Sequence, residues 1–150
     1  MLTRIVAVLT VLWLVGNASL AVAADDENKL IGTWKLKSVT RGGMTAEVPE
    51  TITILKHITP THFAGISYDK DGKFIRSHGG TYSKQGEDYI ETVEYTSNEG
   101  TADLIGKESK FTWKLDGNKW LHRGSTAAGT PINEVWVRVE KKQRKEESPP

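Results

Sequence analysis

Short runs of β-forming residues follow one another along this chain, and turns rich in Gly and Asp separate them at intervals of roughly a dozen residues. Between residues 30 and 140 no stretch shows sustained helical periodicity, so the pattern excludes a helical core. It predicts antiparallel strands joined by tight hairpins. The candidate strands span residues 30–40, 51–57, 61–68, 73–83, 88–96, 107–115, 119–125 and 132–140.

Strands that follow one another with short connections form an up-and-down meander. Eight of them can close into a barrel, which removes the exposed edges that a flat meander would leave. We therefore predict an all-β protein, an eight-stranded antiparallel up-and-down barrel over residues 30–140. A two-sheet β-sandwich is the alternative, although its crossovers usually need longer connections. Helix is expected only as a turn or two within residues 45–50 or 97–105.

The N-terminus has the pattern of a secretory signal peptide, assigned to residues 1–23. Arg4 precedes an uncharged run over residues 5–15, which is too short to cross a bilayer core of roughly 30 Å as a helix. Ala21-Val22-Ala23 then offers the small residues that signal peptidase recognises. We expect cleavage before Ala24, a mobile N-terminus at residues 24–29, and a secreted or periplasmic protein without stable membrane insertion.

Composition narrows the classes of partner. Removal of Arg4 with the signal peptide leaves equal numbers of basic and acidic residues, whereas nucleic acids and anionic membrane surfaces select proteins with a positive excess. The chain has no cysteine, so it has neither disulfides nor thiolate metal sites. Residues 141–150 are polar and of mixed charge, which predicts a disordered tail.

Side chains alternate between the two faces of a strand, so the pattern also predicts which of them point into a barrel. Trp34 and Leu36 share the inner face of the first strand, because the intervening Lys35 must face water. In the last strand we place the Trp136 face inside, since an exposed Trp is uncommon. The valines of the opposite face, at 135, 137 and 139, are the alternative core.

The inner faces predicted in this way carry aromatic and titratable side chains. Such a lining suits a small molecule with a flat apolar body and one polar end, because the rings supply contact area and Arg or His orients the polar group. The proposed ligand-binding residues are Arg76, His78, Tyr82, Tyr89, Glu91, Tyr95, Trp113, Trp120, His122, Glu134, Trp136 and Arg138.

The sequence predicts neither a metal ion nor a cofactor. Its four histidines fall on four different predicted strands and lack the spacing of metal ligands. It has no phosphate-binding loop, dinucleotide fingerprint or nucleophile elbow. Glu134 with Glu91 or His122 is the pairing available for acid–base chemistry. No residue is assigned a catalytic role, and the sequence favours binding over catalysis.

Two short motifs resemble those of the lipocalins and the fatty-acid-binding proteins, grouped as calycins. Gly32-Thr33-Trp34 opens the first predicted strand and Trp136-Val137-Arg138 lies in the last. The resemblance implies a barrel with Trp34 at its floor and Arg138 packed on the indole ring, so that Gly32, Trp34 and Arg138 are structural. Residues 58–63, 79–82 and 134–138 are also similar to uncharacterised bacterial lipocalin-like proteins.

Three functions remain open at this point. The first is an exported barrel that binds a small apolar or aromatic molecule with one polar end. The second is an enzyme that uses acid–base chemistry on a small apolar substrate within the cavity. The third is an envelope accessory or interaction protein whose barrel has no cavity. Ligand identity and oligomeric state stay undetermined.

Overall fold

A computed structural model describes residues 29–140 of the chain. The predicted signal peptide, most of the predicted mobile N-terminus and the predicted tail lie outside the described residues. Within them, no helix is long and apolar enough to cross a membrane. The strands are β1 Gly32–Arg41, β2 Met44–Glu47, β3 Ile52–Ile58, β4 His62–Asp69, β5 Phe74–Gln85, β6 Asp88–Thr96, β7 Glu108–Asp116, β8 Lys119–Ser125 and β9 Pro131–Arg138.

The predicted barrel is confirmed. Every strand from β3 to β8 pairs antiparallel with the next, β1 pairs with β3, and β9 returns to pair with β1. This closed circuit of eight strands excludes the two-sheet sandwich, which would leave open edges. The Trp34↔Arg138 and Leu36↔Trp136 pairs form the seam between the first strand and the last.

One strand was not predicted. β2 forms a hairpin with the second half of β1 and lies outside the closed circuit. Gly42 and Gly43 form the turn with φ of +55° and +79°, a conformation that glycine adopts without steric cost. The helical turn considered for residues 45–50 is therefore wrong, whereas a short 3-10 helix, Glu99–Leu104, falls within the other predicted segment.

Aromatic side chains close one end of the barrel. Alternate strands of a meander begin at the same end, and Trp34, Phe63, Tyr89 and Trp120 stand near the starts of β1, β4, β6 and β8. Each is at most 2% exposed. The ring centre of Trp120 lies 5.6 Å from that of Trp34 and 5.5 Å from that of Tyr89, both edge-on, which is a favourable aromatic geometry.

Arg138 fastens the last strand to the start of the first. Its guanidinium carbon lies 4.2 Å from the centre of the Trp34 ring, and Nη1 donates to the Ile31 carbonyl at 2.9 Å. Nη2 donates to the Lys29 carbonyl. A side chain at Gly32 would place its Cβ 2.6 Å from Nη1, so glycine is needed there to admit the guanidinium.

Replacement of Trp34 by Ala should lower the free energy of unfolding by about 3–5 kcal/mol, as large core truncations do. Arg138→Leu should cost about 1–3 kcal/mol, because it removes the cation–π contact and two hydrogen bonds to carbonyls. Urea melts monitored by circular dichroism measure both losses. Arg123→Leu, at an exposed position of β8, is the matched control and should change stability by less than about 0.5 kcal/mol. Equal losses in the two arginine variants would contradict the closing role of Arg138.

Candidate functional site

A cavity of about 380 Å³ occupies the barrel between the aromatic floor and the opposite end. It reaches solvent there, since its lining includes the exposed side chains of Arg41, Arg76 and Asp103. We call this end the mouth. The cavity contradicts the filled barrel that the third function considered above required. Its apolar and aromatic lining includes Leu36, Ile54, Val93, Leu104, Phe111, Ile132 and Trp136.

About half of the predicted ligand-binding residues line this cavity. They come from four different strands, and the closed circuit brings them around one space because their positions alternate inward. They are Arg76, His78, Glu91, His122, Glu134 and Trp136.

Other predicted residues lie at the closed end and do not line the cavity. Tyr89 and Trp120 belong to the aromatic floor, and Arg138 closes the seam beside it. The Tyr82 hydroxyl donates to the Thr59 carbonyl at 2.8 Å. Trp113 lies under the Lys84 ammonium, 3.5 Å from the ring centre to Nζ. These residues contribute to packing in the structure.

The inward placement of Tyr95 is wrong. Period-two alternation from Tyr89 and Glu91 places it inside, but the pairing of β5 with β6 shifts register between Gly79 and Gly80. Such a bulge inserts one extra residue and reverses the facing beyond it. Tyr95 is therefore 46% exposed, and Thr96 lines the cavity instead.

Sequence reasoning missed Lys56, which lies at the centre of the site. The same alternation that places Ile52 and Ile54 inward also places Lys56 inward, but a buried lysine is rare unless it is paired. Lys56 is only 3% exposed. Its partner is 35 residues away on β6, so no local pattern indicates it.

Lys56 and Glu91 form a buried ion pair across the cavity wall. Nζ donates to Glu91 Oε1 at 2.6 Å, and both side chains are almost fully buried. Burial opposes ionisation of Glu91, but the Lys56 ammonium, together with His122 and His78, outweighs it and holds the pKa of Glu91 below its ordinary value. Nζ also lies 5.2–5.5 Å from the ring centres of Phe63, Trp120 and Trp136, so aromatic faces stabilise the cation further.

A second polar group joins His122, Glu134 and Trp136. Glu134 Oε2 lies 3.3 Å from His122 Nδ1 and accepts a hydrogen bond from the Trp136 indole at 3.0 Å. Burial opposes ionisation of Glu134, but His122, the Lys56 charge and the Trp136 hydrogen bond together outweigh it and lower the pKa of Glu134. Burial, followed by the nearby Lys56 charge, lowers the pKa of His122, so the imidazole is neutral at pH 7. Its Nε2 is buried and has no hydrogen-bond partner among residues 29–140.

His78 lies between these groups and the mouth. Its ring packs over Gly65, where a Cβ would come within 2.7 Å of the imidazole, so glycine makes room for it. Burial and then the Lys56 charge lower the pKa of His78. Within the described part of the chain, no group of three or more His, Cys, Asp or Glu side chains is placed to hold a metal ion.

The buried ion pair should be costly to break on one side. Lys56→Met leaves the Glu91 charge buried without its partner, and we expect a loss of about 3–5 kcal/mol in urea melts. Lys56→Met with Glu91→Gln should recover most of that loss. Lys37→Met breaks the exposed pair of Lys37 with Glu47 and should cost less than about 1 kcal/mol. If Lys56→Met alone were as stable as the wild type, Glu91 would have to be protonated in the folded protein.

Acidification should destabilise the fold in two stages. Because the folded pKa of His78 and of His122 lies below the ordinary value of about 6.5, the unfolded state binds more protons as pH falls through that value. Stability should therefore drop between about pH 7 and 5, and again below about pH 4.5 as Glu91 and Glu134 protonate. Urea melts across this range test it. His122→Gln should flatten the first stage while running parallel to the wild type above pH 7, and an unchanged slope would contradict this account.

Comparison with known proteins finds a similar solved structure and a matching family model. The fold is similar to that of an uncharacterized protein from Bacteroides eggerthii, with a TM-score of 0.52 and 17% sequence identity, over 73% of this chain and 98% of that one. A de novo designed fluorescence-activating β-barrel is more distant, with a TM-score of 0.45 and 16% identity, over 77% of this chain and 98% of the design. No curated protein matches the sequence.

A family model matches residues 29–149, which include every strand of the barrel and every residue of the cavity. Because the match covers most of the chain, the protein belongs to the family described as Domain of unknown function (DUF4488).

Proposed function

We propose that this protein is exported and that its lipocalin-like barrel binds a small molecule with an apolar or aromatic body and one polar end. The observation that carries the proposal is the cavity, whose volume of about 380 Å³ lies within the range of ligand pockets, roughly 300–1,000 Å³. Its lining is also typical of such pockets, because apolar and aromatic side chains surround a few polar groups.

The size of the inward side chains supports a space built for a ligand. Along β4 the inward residues are Phe63 at the floor, then Gly65 and Ser67 towards the mouth. Protein interiors are close-packed, and an eight-stranded barrel is just narrow enough for side chains to fill it. The His78 ring occupies the space over Gly65, and the small Ser67 beyond it leaves the barrel unfilled towards the mouth.

The charged groups of the inner cavity are already paired with one another, although His122 Nε2 has no hydrogen-bond partner among residues 29–140. Lys56 is paired with Glu91, and Glu134 with His122 and Trp136. They therefore form a rigid wall that does not need a charged partner. The apolar body of the ligand would lie against Leu36, Val93 and Ile132, between this wall and the mouth.

Acid–base catalysis is a second candidate, since His122 and Glu134 form the imidazole–carboxylate contact that catalytic bases use. The geometry favours it less. Nε2, the nitrogen that would take a proton from substrate, is buried beside the Phe111 and Trp120 rings, whose centres lie 4.3 and 5.0 Å from that of His122. A base must lie within hydrogen-bond reach of the proton that it removes.

Binding can be tested with N-phenyl-naphthylamine, a neutral aromatic dye whose fluorescence rises in apolar surroundings. The wild type should bind it with a saturable rise. Ile132→Trp, which adds a large ring to the cavity wall, should weaken binding at least tenfold, or by about 1.4 kcal/mol. Leu121→Trp adds the same ring to the outer face of the neighbouring strand β8, outside the cavity lining, and should leave binding unchanged. Equal affinity in both variants would place the dye outside the barrel and contradict the proposal.

A further inference from the structure

Two arginines whose side chains have no partner among residues 29–140 line the mouth of the cavity. Arg41 ends β1 and Arg76 lies in β5, and both side chains are exposed. Neither makes a hydrogen bond or an ion pair through its side chain among residues 29–140. A guanidinium has five N–H donors and no acceptor, so each of these side chains offers unused donors at the mouth of the cavity.

The rest of the cavity differs from the mouth in this respect. Lys56 is paired with Glu91, and Glu134 has both His122 and Trp136. A ligand carboxylate at the inner end would compete with Glu91 for Lys56 and would lie beside two buried carboxylates. The inner end therefore disfavours an anion, and the mouth favours one.

We propose that Arg41 and Arg76 bind the anionic end of the ligand, a carboxylate, sulfonate or phosphate group, while its apolar body fills the barrel. This inference rests on the proposed function and names the class of ligand, an amphipathic anion. Arginine is suited to the task because its planar fork matches such groups with two parallel hydrogen bonds. The anion would stay at the solvent-exposed end, where it keeps part of its hydration and costs little to bind.

Two neighbours define the electrostatics of this end. Asp103 also lines the mouth but makes no ion pair with either arginine within the described chain, so the local excess is one positive charge. His78, two residues along β5 from Arg76, lines the cavity next to the mouth. Its imidazole can donate to the same anion.

The test compares two dyes that differ by one group. Anilinonaphthalene sulfonate is N-phenyl-naphthylamine with an added sulfonate, so the ratio of their affinities isolates the anion. In Arg41→Gln with Arg76→Gln, affinity for the sulfonate dye should fall roughly tenfold, since each exposed ion pair contributes modestly. Affinity for the neutral dye should stay within about twofold. Arg123→Gln, at an exposed position of β8 that is not part of the cavity lining, is the matched control and should change neither affinity.

The outcomes separate this inference from the proposed function. If the double variant binds both dyes as the wild type does, or loses both equally, the arginines do not recognise the anion and the inference fails, while binding in the barrel stands. If the wild type binds neither dye, both proposals fail. An alkyl carboxylate and an alkyl phosphate monoester should displace the sulfonate dye from the wild type. Displacement by neither would overturn the inference, and their relative potency identifies the preferred anion.

Discussion

The interior of this protein exists because the last strand returns to the first, and Arg138 holds that seam. Its guanidinium stacks on Trp34 and donates hydrogen bonds to backbone carbonyls just before β1. A meander whose ends did not meet would expose two strand edges and would have no enclosed space. The aromatic floor depends on the same contact, because Trp34 is also packed edge-on against Trp120. Closure, floor and cavity are consequences of one packing arrangement between residues more than a hundred positions apart.

An interior that side chains do not fill lowers the stability of the fold, as the buried charges illustrate. Side chains that would otherwise fill the middle are replaced by glycine and serine, and the chain places Lys56 and Glu91 in the wall that remains. Ion pairs in such places stabilise a fold less than apolar packing does, although breaking them is expensive. The three aromatic rings around Lys56 offset part of its lost hydration. The inner wall is thus polar, yet it carries no unmatched lysine charge.

Much of the fold could be predicted because the rules that set it are local. Alternation and turn chemistry located the strands of the barrel, and they brought Glu91, His122 and Glu134 into one cavity. The four-residue strand β2 is too short to show alternation, so it was missed. Tyr95 was misplaced because Glu94 is an extra residue on β6, opposite Gly79 and Gly80, and it interrupts the alternation. The two glycines inside β5 are the local signal that could have indicated this bulge. Lys56 obeys the alternation, but its inward position depends on a carboxylate from a distant strand, and only the fold reveals that partner.

The aromatic floor also limits access to the cavity to one end of the barrel. Since Trp34, Phe63, Tyr89 and Trp120 seal one end, any molecule that enters at the mouth must leave by the same route. The barrel is open at one end only, so a bound molecule would have to leave before another could enter. If a molecule binds in the barrel, its residence time depends on the rim, which the end of β1, the 3-10 helix and the loop between β8 and β9 line. Sequence change at that rim can alter exchange while the seam that holds the barrel shut stays as it is.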